Sequence, residues 1–308
     1  WQLQQLQGLP LEVKIRKTQE RIKEWYEHWN GQVYVSFSGG KDSTVLLHIA
    51  REMYPGIEAV FVDTGLEYPE IRSFVKTFDN VAWIRPKMNF KKVIEQYGYP
   101  VISKEVSKCV YYARKGSEWA EKKLNGTYND FSARFVKYKD LVNAPFDMSS
   151  RCCDVMKKEP FHKYETLSKK KPIIGTTADE SSQRLSGWLK TGCNSFEEKR
   201  PISKPLSFWK EQDILHYLLQ NNLPIALCYG EIIEGDQLEG QTVLDGCMSN
   251  LTTSKCKRTG CMFCMYGVHL EKEPNRFQMM KETHPKQYDY CINKLGLDDV
   301  LDYIGVKY

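Results

Sequence analysis

The sequence predicts an α/β protein with a doubly wound, mostly parallel sheet. Strands rich in β-branched and aromatic residues alternate with amphipathic helices, and the first strand ends in a glycine-rich turn. The chain has 308 residues, 41% of them hydrophobic and 27% charged, which is enough for a large core and excludes whole-chain disorder, collagen-like repeats and a coiled coil. Its apolar runs are far shorter than the ~18 residues of a membrane helix, so we expect no membrane-spanning segment.

The predicted elements follow one another in a regular order. Residues 11–29 carry apolar side chains on one side of a helix, which Asn30 and Gly31 end. The following pattern predicts strands at 32–38, 57–65, 80–86 and 171–177, and helices at 43–54, 68–78 and 210–221. Sheets of this kind bind ligands beyond the carboxyl ends of their strands.

A glycine-rich loop joins the first strand to the next helix. Its residues are Ser38, Gly39, Gly40, Lys41, Asp42 and Ser43. The glycines allow a tight turn that presents backbone N–H groups to an anion, and the helix N-terminus adds partial positive charge. Lys41 supplies a full charge for phosphate, whereas Asp42 suits a helix cap or a Mg²⁺-facing position. The alternative is an ordinary capped turn, and the loop is neither a Walker P-loop nor a G-x-G-x-x-G fingerprint.

This loop resembles the pyrophosphate loop (PP-loop) of the ATP pyrophosphatases, and the chain resembles their phosphoadenosine phosphosulfate (PAPS) reductase branch. Similar motifs follow in the family's order over about residues 31–270, at Phe61 to Gly65 with Pro69 and Glu70, at Gly175 to Ser181 with Arg184, and at Pro205 to Trp209. The resemblance implies a pocket for ATP with Mg²⁺, in which the six loop residues hold phosphate.

The same resemblance implies roles for single residues. Asp63 and Thr64 are expected near the nucleoside, and Gly175 and Glu180 in a nucleotide-binding motif at the sheet edge. The expected catalytic residues are Lys41, Asp42 and Arg184. Thr177 stands where the family often has Arg, so the charge on the phosphate side comes from Lys41 and Arg184, or from Arg151, Lys157 or Lys158.

The ten cysteines are too sparse for a disulfide scaffold, and residues 1–30 are polar and charged. We therefore expect a cytoplasmic, reducing location, in which grouped cysteines serve metal binding or catalysis. Two groups stand out, the adjacent pair Cys152 and Cys153 and the C-x-x-C of Cys261 and Cys264. A redox dithiol, half of a zinc site and half of an iron–sulfur site are the alternatives.

An iron–sulfur cluster suits these cysteines best. Adjacent cysteines serve one tetrahedral zinc ion poorly, whereas a 4Fe–4S cluster offers four separate iron corners. The pattern also resembles the ligand set of 4Fe–4S adenylylsulfate reductases in the same family. A three-cysteine group in the family's DNA-phosphorothioation branch makes Cys256 an alternative ligand and Cys247 a spare. Four incidental buried cysteines are the competing interpretation.

The resemblance implies three regions. They are an N-terminal helix packed on the core at 1–30, a PP-loop nucleotide domain at 31–235 with a helical insertion at 103–150, and a Cys-rich iron–sulfur segment with C-terminal helices at 236–308.

Three functions follow from these features. The preferred one is an ATP pyrophosphatase that adenylates an acceptor and supports sulfur transfer, with a nucleic-acid or protein acceptor and a sulfur donor as partners. The alternatives are a sulfonucleotide reductase releasing sulfite and a non-catalytic nucleotide-sensing subunit. The reductases use a C-terminal Glu-Cys-Gly-x-His nucleophile, and no cysteine follows Cys291. Lysines, arginines and aromatic residues at 104–123 predict a solvated helix face, with a strand-binding face as the alternative.

Overall fold

Strands and helices alternate along the chain in the computed structural model, which describes residues 2–235 and 250–308. The helices are α1 (Gln2–Gln7), α2 (Leu11–His28), α3 (Lys41–Met53), α4 (Pro69–Val75), α5 (Phe90–Tyr97), α6 (Lys104–Ala113), α7 (Glu118–Leu124), α8 (Arg151–Cys153), α9 (Glu159–Ser168), α10 (Ser182–Thr191), α11 (Glu211–Gln220), α12 (Arg276–Thr283), α13 (Pro285–Asp289) and α14 (Leu297–Tyr303). The strands are β1 (Val33–Ser36), β2 (Glu58–Val62), β3 (Val81–Ile84), β4 (Val101–Ile102), β5 (Lys171–Ile174), β6 (Asn194–Ser195), β7 (Ile202–Ser203), β8 (Ile232–Glu234), β9 (Leu251–Thr253) and β10 (Met265–Tyr266).

The described residues divide between two units. Those of the first unit fall within Trp1–Asp63, Tyr68–Ile84 and Phe161–Thr259. Those of the second fall within Thr64–Glu67, Arg85–Pro160 and Gly260–Tyr308. The predicted boundary between residues 235 and 236 lies at the edge of the part that the structure does not describe, and the three predicted regions stay a prediction.

The first unit is built on a six-stranded sheet with the order β3-β2-β1-β5-β7-β6. All neighbouring strands in it are parallel except β6 and β7. The order runs outward from β1 to β3 on one side and continues with β5 on the other. Because parallel crossovers are right-handed, this reversal puts helices on opposite faces of the sheet.

Side chains of β1 confirm that both faces are covered. Val35 belongs to the large apolar core together with Leu46 of α3. Tyr34 points to the opposite face, since successive strand residues alternate. There its ring lies 5.1 Å from that of Tyr164 in α9, and its hydroxyl donates to Glu165 Oε1 at 2.7 Å. The predicted doubly wound, mostly parallel α/β fold is therefore confirmed.

The N-terminal helix α2 contributes to the same core. Ile22 and Trp25 are fully buried on its inner side. Lys14, only 2% exposed, donates from Nζ to both carboxylate oxygens of Asp213 at 2.7 and 2.8 Å. A buried charge is tolerated because it is paired and hydrogen-bonded.

The second unit contains the predicted insertion, and one element there differs from expectation. The helical part of the insertion predicted at 103–150 is interrupted between α6 and α7, because Gly116 adopts a left-handed φ of 74°. Arg114 ends α6 and donates to four backbone carbonyls, those of Leu141, Val142, Ala144 and Phe146, at 2.7 to 3.1 Å. One side chain thus holds both the end of the 3₁₀ turns of Ser132–Asn143 and the irregular segment that follows them.

A helix must be both long and apolar to cross a membrane. Within residues 2–235 and 250–308, no helix is both long and apolar enough to cross a bilayer.

Candidate functional site

The loop between β1 and α3 adopts the tight turn that the sequence predicts, and Gly39 makes it possible. Its φ is 72°, in the left-handed region. A Cβ at this position would lie 2.8 Å from Val75 Cγ2 and 2.9 Å from Ile71 Cγ2, both on α4. Gly40 then serves as the N-cap of α3 without a side-chain cap of its own.

The two loop serines stabilise one another across the turn. Ser38 N–H donates to Ser43 Oγ at 3.2 Å, and the two hydroxyl oxygens lie 3.1 Å apart. Ser43 Oγ also donates to the carbonyl of Gly40 at 2.9 Å. The turn is therefore preorganised by its own side chains, with α3 behind it contributing the partial positive charge of a 13-residue helix.

Lys41 is the buried cation of the loop, with 6% of its surface exposed. Its Nζ donates to Glu211 Oε1 at 2.8 Å, and the ammonium group lies 5.3 Å from the centroid of the Tyr229 ring. Its backbone N–H donates to the Tyr229 hydroxyl at 3.4 Å, and that hydroxyl lies 2.6 Å from Thr259 Oγ1. The lysine is thus held in place and balanced by one carboxylate.

Asp42 is the carboxylate of the loop, and its environment is unfavourable for a negative charge. Burial raises the pKa of Asp42, and the charge of Glu211 adds to the rise. Lys41, Arg184 and Arg258 oppose that rise through their positive charges. A desolvated carboxylate among cations is the kind of oxygen donor that a divalent cation at a phosphate site uses.

Arg184 lies at the start of α10 and interacts with two other predicted site residues. It forms an ion pair with Glu180, four residues earlier in the chain. Burial lowers the pKa of Arg184, Asp42 raises it, and the like charge of Arg258 lowers it further. Lys41, Asp42 and Arg184, the three predicted catalytic residues, therefore all belong to one charged cluster in the first unit.

The remaining predicted nucleotide residues are placed individually. Asp63 is 5% exposed and accepts a hydrogen bond from Arg72 Nη2 at 2.9 Å. Thr64 donates from Oγ1 to Glu67 at 2.6 Å. A Cβ on Gly175 would lie 2.9 Å from the carbonyl oxygen of Asp42, so only glycine lets β5 end against the start of α3.

Sequence reasoning missed Glu211, Tyr229, Arg258 and Thr259 as parts of the loop's surroundings. All four lie far from the loop in sequence, and none belongs to a motif of the loop itself. A usable signal existed only for Glu211, which follows the Pro205 to Trp209 motif at the start of a predicted helix.

The second unit brings together the four cysteines predicted as metal ligands. Cys152 and Cys153 end α8, and Cys261 and Cys264 lie in a turn closed by a hydrogen bond from Cys264 N–H to the Cys261 carbonyl at 3.1 Å. Cys152 is buried and the other three are partly buried. Disulfides are absent from the nine cysteines within the described ranges.

The four thiols affect one another's pKa values electrostatically. Burial raises the pKa of Cys152 strongly, and the charges of the three other thiols add to the rise. Burial also raises the pKa of Cys261 to about 11, although Lys157 opposes the rise. Burial likewise raises the pKa of Cys264, with Cys153 contributing.

Cations and apolar side chains surround the thiols. Lys157 hydrogen-bonds to Cys261, and the charges of Cys261 and then Glu67 raise the pKa of this lysine against the effect of burial. Arg276 Nη1 donates to the carbonyl of Cys264 at 3.0 Å. Met262, Phe263 and Met265 are at most 5% exposed and shield this segment from water.

The four thiols of the second unit are a donor set that a 4Fe–4S cluster would use, and the cluster stays a prediction. In the part of the chain that the structure describes, no three His, Cys, Asp or Glu side chains are grouped to hold one metal ion. One zinc ion would require its sulfur ligands in a single tetrahedron, whereas the thiolates of a 4Fe–4S cluster each bind a different iron and lie further apart. Lys157 and Arg276 place positive charge beside the thiols, which would offset the negative charge of thiolate ligands.

Cys256, the alternative ligand, belongs to the first unit. Its thiol donates to the carbonyl of Arg258 at 2.6 Å, and its N–H donates to the carbonyl of Cys228 at 3.2 Å. Cys247 lies outside the described residues.

Lysines of the insertion contact neighbours on α6 and α7. Lys108 Nζ lies 5.7 Å from the Trp119 ring, and Lys115 Nζ lies 4.2 Å from the Tyr111 ring. Lys122 pairs with Glu118 at 2.6 Å. These contacts are typical of a solvated helix face, and a strand-binding role stays a prediction.

Fold and loop together define an α/β protein with a tight glycine-rich turn at the end of β1. More specifically, the chain belongs to the phosphoadenosine phosphosulfate reductase domain family, whose profile matches residues 32–101 and 80–266. The predicted family is therefore confirmed.

Individual relatives differ in how much of their length this chain matches. An uncharacterized protein of Methanocaldococcus jannaschii is 37% identical over 293 residues, which make up 92% of this chain and 53% of that relative, so this chain spans about half of it. A phosphoadenosine 5'-phosphosulfate reductase of Xylella fastidiosa (strain M23) is 23% identical over 223 residues, or 72% of this chain and 77% of the relative. A crystal structure of PAPS reductase from Candida auris in complex with phosphate has a TM-score of 0.40 and 15% identity, covering 68% of this chain and 82% of that one.

Proposed function

We propose that this protein is an iron–sulfur PP-loop enzyme that binds ATP and cleaves it between the α and β phosphates to adenylate an acceptor. The observation that carries this proposal is the loop itself. It combines a preorganised anion-binding turn, a buried lysine and a desolvated carboxylate with an arginine in reach. Membership of the PAPS reductase family supports an adenine-nucleotide ligand.

The loop residues have separable tasks in this reaction. Backbone N–H groups at the start of α3, together with Ser38 and Ser43, bind the phosphate oxygens. Nucleotide binding shifts Lys41 from Glu211 to the phosphates, where its charge stabilises the leaving pyrophosphate. Glu211 holds the lysine ready in the absence of the nucleotide, since their atoms are 2.8 Å apart.

Asp42 is the residue suited to the Mg²⁺ that accompanies ATP. When bound, magnesium would neutralise negative charge on the phosphates. Asp42 offers the carboxylate oxygen for it, because burial already disfavours its charged form and a cation would reverse that penalty. Arg184 balances the remaining negative charge of the nucleotide.

The four thiols of Cys152, Cys153, Cys261 and Cys264 would hold a 4Fe–4S cluster. Such a cluster supplies electron transfer or an iron site for sulfur, and sulfur transfer to an adenylated acceptor is the use we propose. Lys157 and Arg276 tune this site through their charges. The acceptor we propose is a nucleic acid or a protein, and for a nucleic acid the candidate surface is residues 103–143, which combine nine Lys and Arg with seven aromatic residues.

Pyrophosphate release from ATP by anaerobically purified protein tests the proposal. Lys41→Ala should abolish the release, because the leaving group loses its buried cation. Lys163→Ala on α9 is the matched control, since that lysine is exposed and lies outside the loop. Pyrophosphate release by Lys41→Ala at the control rate would refute the role of the loop.

Iron content and visible absorbance test the cluster separately. We expect a broad band near about 400 nm from sulfide-to-iron charge transfer, with iron rather than zinc on analysis. Cys152→Ser should lose both signals, whereas Cys109→Ser, which changes a buried cysteine of the same unit, should keep them. A colourless protein with one zinc ion would overturn this assignment.

A sulfonucleotide reductase is the second candidate, and the similarity to the Xylella fastidiosa PAPS reductase favours it. Sulfite release from PAPS or adenylylsulfate without ATP turnover would select this function over ATP cleavage.

A further inference from the structure

The turn that follows β9 lies against the nucleotide loop in the first unit. It begins at Thr253, the last residue of β9, whose hydroxyl donates to the Cys256 carbonyl at 2.8 Å. Three residues later, the hydroxyl oxygen of Thr259 lies 3.5 Å from the position that a Cβ on Gly40 would take. Gly40 is the N-cap of α3, so this turn carries a hydroxyl group to the start of that helix.

A buried tyrosine fixes the direction of this hydroxyl group. Tyr229 is 2% exposed, and its hydroxyl accepts from the Lys41 N–H at 3.4 Å and lies 2.6 Å from Thr259 Oγ1. Burial raises the pKa of Tyr229, so the phenol keeps its proton and needs an acceptor for it. Among residues 2–235 and 250–308, Thr259 Oγ1 is the acceptor that the structure provides.

The Thr259 hydroxyl is consequently left with a proton to donate. Its oxygen accepts from Tyr229, and no residue in the described part of the chain accepts a hydrogen bond from it. The hydroxyl also lies at the N-terminus of a 13-residue helix, where partial positive charge favours an anion. A phosphate oxygen is therefore the acceptor that this position suits.

Arg258 adds positive charge next to this hydroxyl group. Lys41 and Arg184 each pair with a glutamate. Arg258 is exposed and forms no ion pair with any residue that the structure describes. Burial lowers the pKa of Arg184, and the like charge of Arg258 lowers it further. A phosphate group would offset this charge and relieve the repulsion between the two guanidinium groups.

We propose that Thr259 and Arg258 are further ligands of the phosphate chain of the nucleotide. The Thr259 hydroxyl donates a hydrogen bond to a phosphate oxygen beside the start of α3. The exposed Arg258 guanidinium pairs with the outer end of the phosphate chain. This inference rests on the proposed function, because it takes the loop as the binding site of ATP.

Equilibrium binding of ATP and of inorganic pyrophosphate tests the role of Thr259. Thr259→Val keeps the shape of the side chain and should weaken the binding of both ligands about tenfold, as expected from the loss of one hydrogen bond to a charged group. Thr259→Ser keeps the hydroxyl and should bind both ligands within about twofold of the unchanged protein. The serine variant thus separates loss of the hydroxyl from a change in folding.

The salt dependence of ATP binding tests the role of Arg258. Arg258→Gln should weaken the binding of ATP about fivefold at ~0.05 M salt, and the loss should shrink at ~0.5 M salt, because exposed charges are screened there. Lys257→Gln is the matched control, since it removes an exposed charge at the neighbouring position. The control should change the affinity for ATP by less than about twofold.

Three results would overturn the inference while the proposed function stands. They are unchanged affinity of Thr259→Val, equal losses in Thr259→Val and Thr259→Ser, and a loss in Arg258→Gln that Lys257→Gln reproduces. Failure of the unchanged protein to bind either ATP or pyrophosphate would instead overturn the proposed function and this inference together.

Discussion

Gly39 shows how strongly one position of the loop depends on residue type. Two independent constraints act there, a left-handed φ of 72° and methyl groups of Ile71 and Val75 within 2.9 Å of any added Cβ. Gly116 has nearly the same φ, 74°, but no atom within 4 Å of an added Cβ. The pair therefore separates backbone strain from steric overlap.

Gly39→Ala should destabilise the protein by about 2–4 kcal/mol, because the backbone strain and the overpacking against α4 add. Gly116→Ala should cost only about 1 kcal/mol, since strain acts there alone. Denaturant unfolding of both variants measures the difference. Equal losses of stability in the two variants would mean that α4 shifts to accommodate the new methyl group at no cost in free energy.

Single residues also show which parts of the site could be predicted from the sequence and which could not. Lys41 and Asp42 were identifiable because a glycine-rich turn between a strand and a helix has a local signature. Tyr229 was not, since it meets Lys41 only through folding and lies 188 residues from it along the chain. Local patterns carry no information on such contacts.

Among the elements, strands were easier to predict than the insertion. The strands β1, β2, β3 and β5 fall inside predicted apolar runs, because buried parallel strands are apolar on both faces. The two-residue strands β6 and β7 have no such run and depend on pairing with β5 and with each other. The break between α6 and α7 follows from the conformation of one glycine, which helical periodicity does not reveal.

The guanidinium of Arg114 donates the hydrogen bonds that regular secondary structure would otherwise supply to one segment of the insertion. Arg114→Met keeps much of the aliphatic packing and leaves four carbonyls without their donor, so the loss should be about 2–4 kcal/mol. Arg134→Met is the matched control, because that side chain is 63% exposed and pairs with Glu105 at the surface. Hydrogen exchange over 132–147 measures the effect locally, and equal protection in both variants would contradict it.

At the scale of the whole molecule, Glu58 makes stability depend on pH. Burial raises its pKa, but hydrogen bonds from Lys170 and Tyr164 and the charge of Lys170 outweigh burial, so the net pKa lies below the ordinary 4.5. A carboxyl with a lowered folded-state pKa contributes stability that is present above the unfolded value and is lost as the pH falls through the folded one.

The free energy of unfolding should therefore differ most between the protein and Glu58→Gln above about pH 5, and the difference should shrink below about pH 4.5. Denaturant titrations at several pH values measure it, with Glu121→Gln as an exposed control on α7. A difference that stays constant down to about pH 3.5 would show that the glutamate contributes by packing and not by charge.

Segments of the two units alternate along the chain, and this order has a consequence during synthesis on the ribosome. Residues 85–160 belong to the second unit and separate β1 from its partner β5. Val33 can therefore pair with Lys171 only after the ribosome has synthesised the whole segment between them. At ordinary translation speeds these 138 residues take roughly 7 to 28 s. Throughout that interval one edge of the nascent strand β1 is unpaired and exposed to chaperones and to other chains, and neither unit can be expressed as a contiguous fragment.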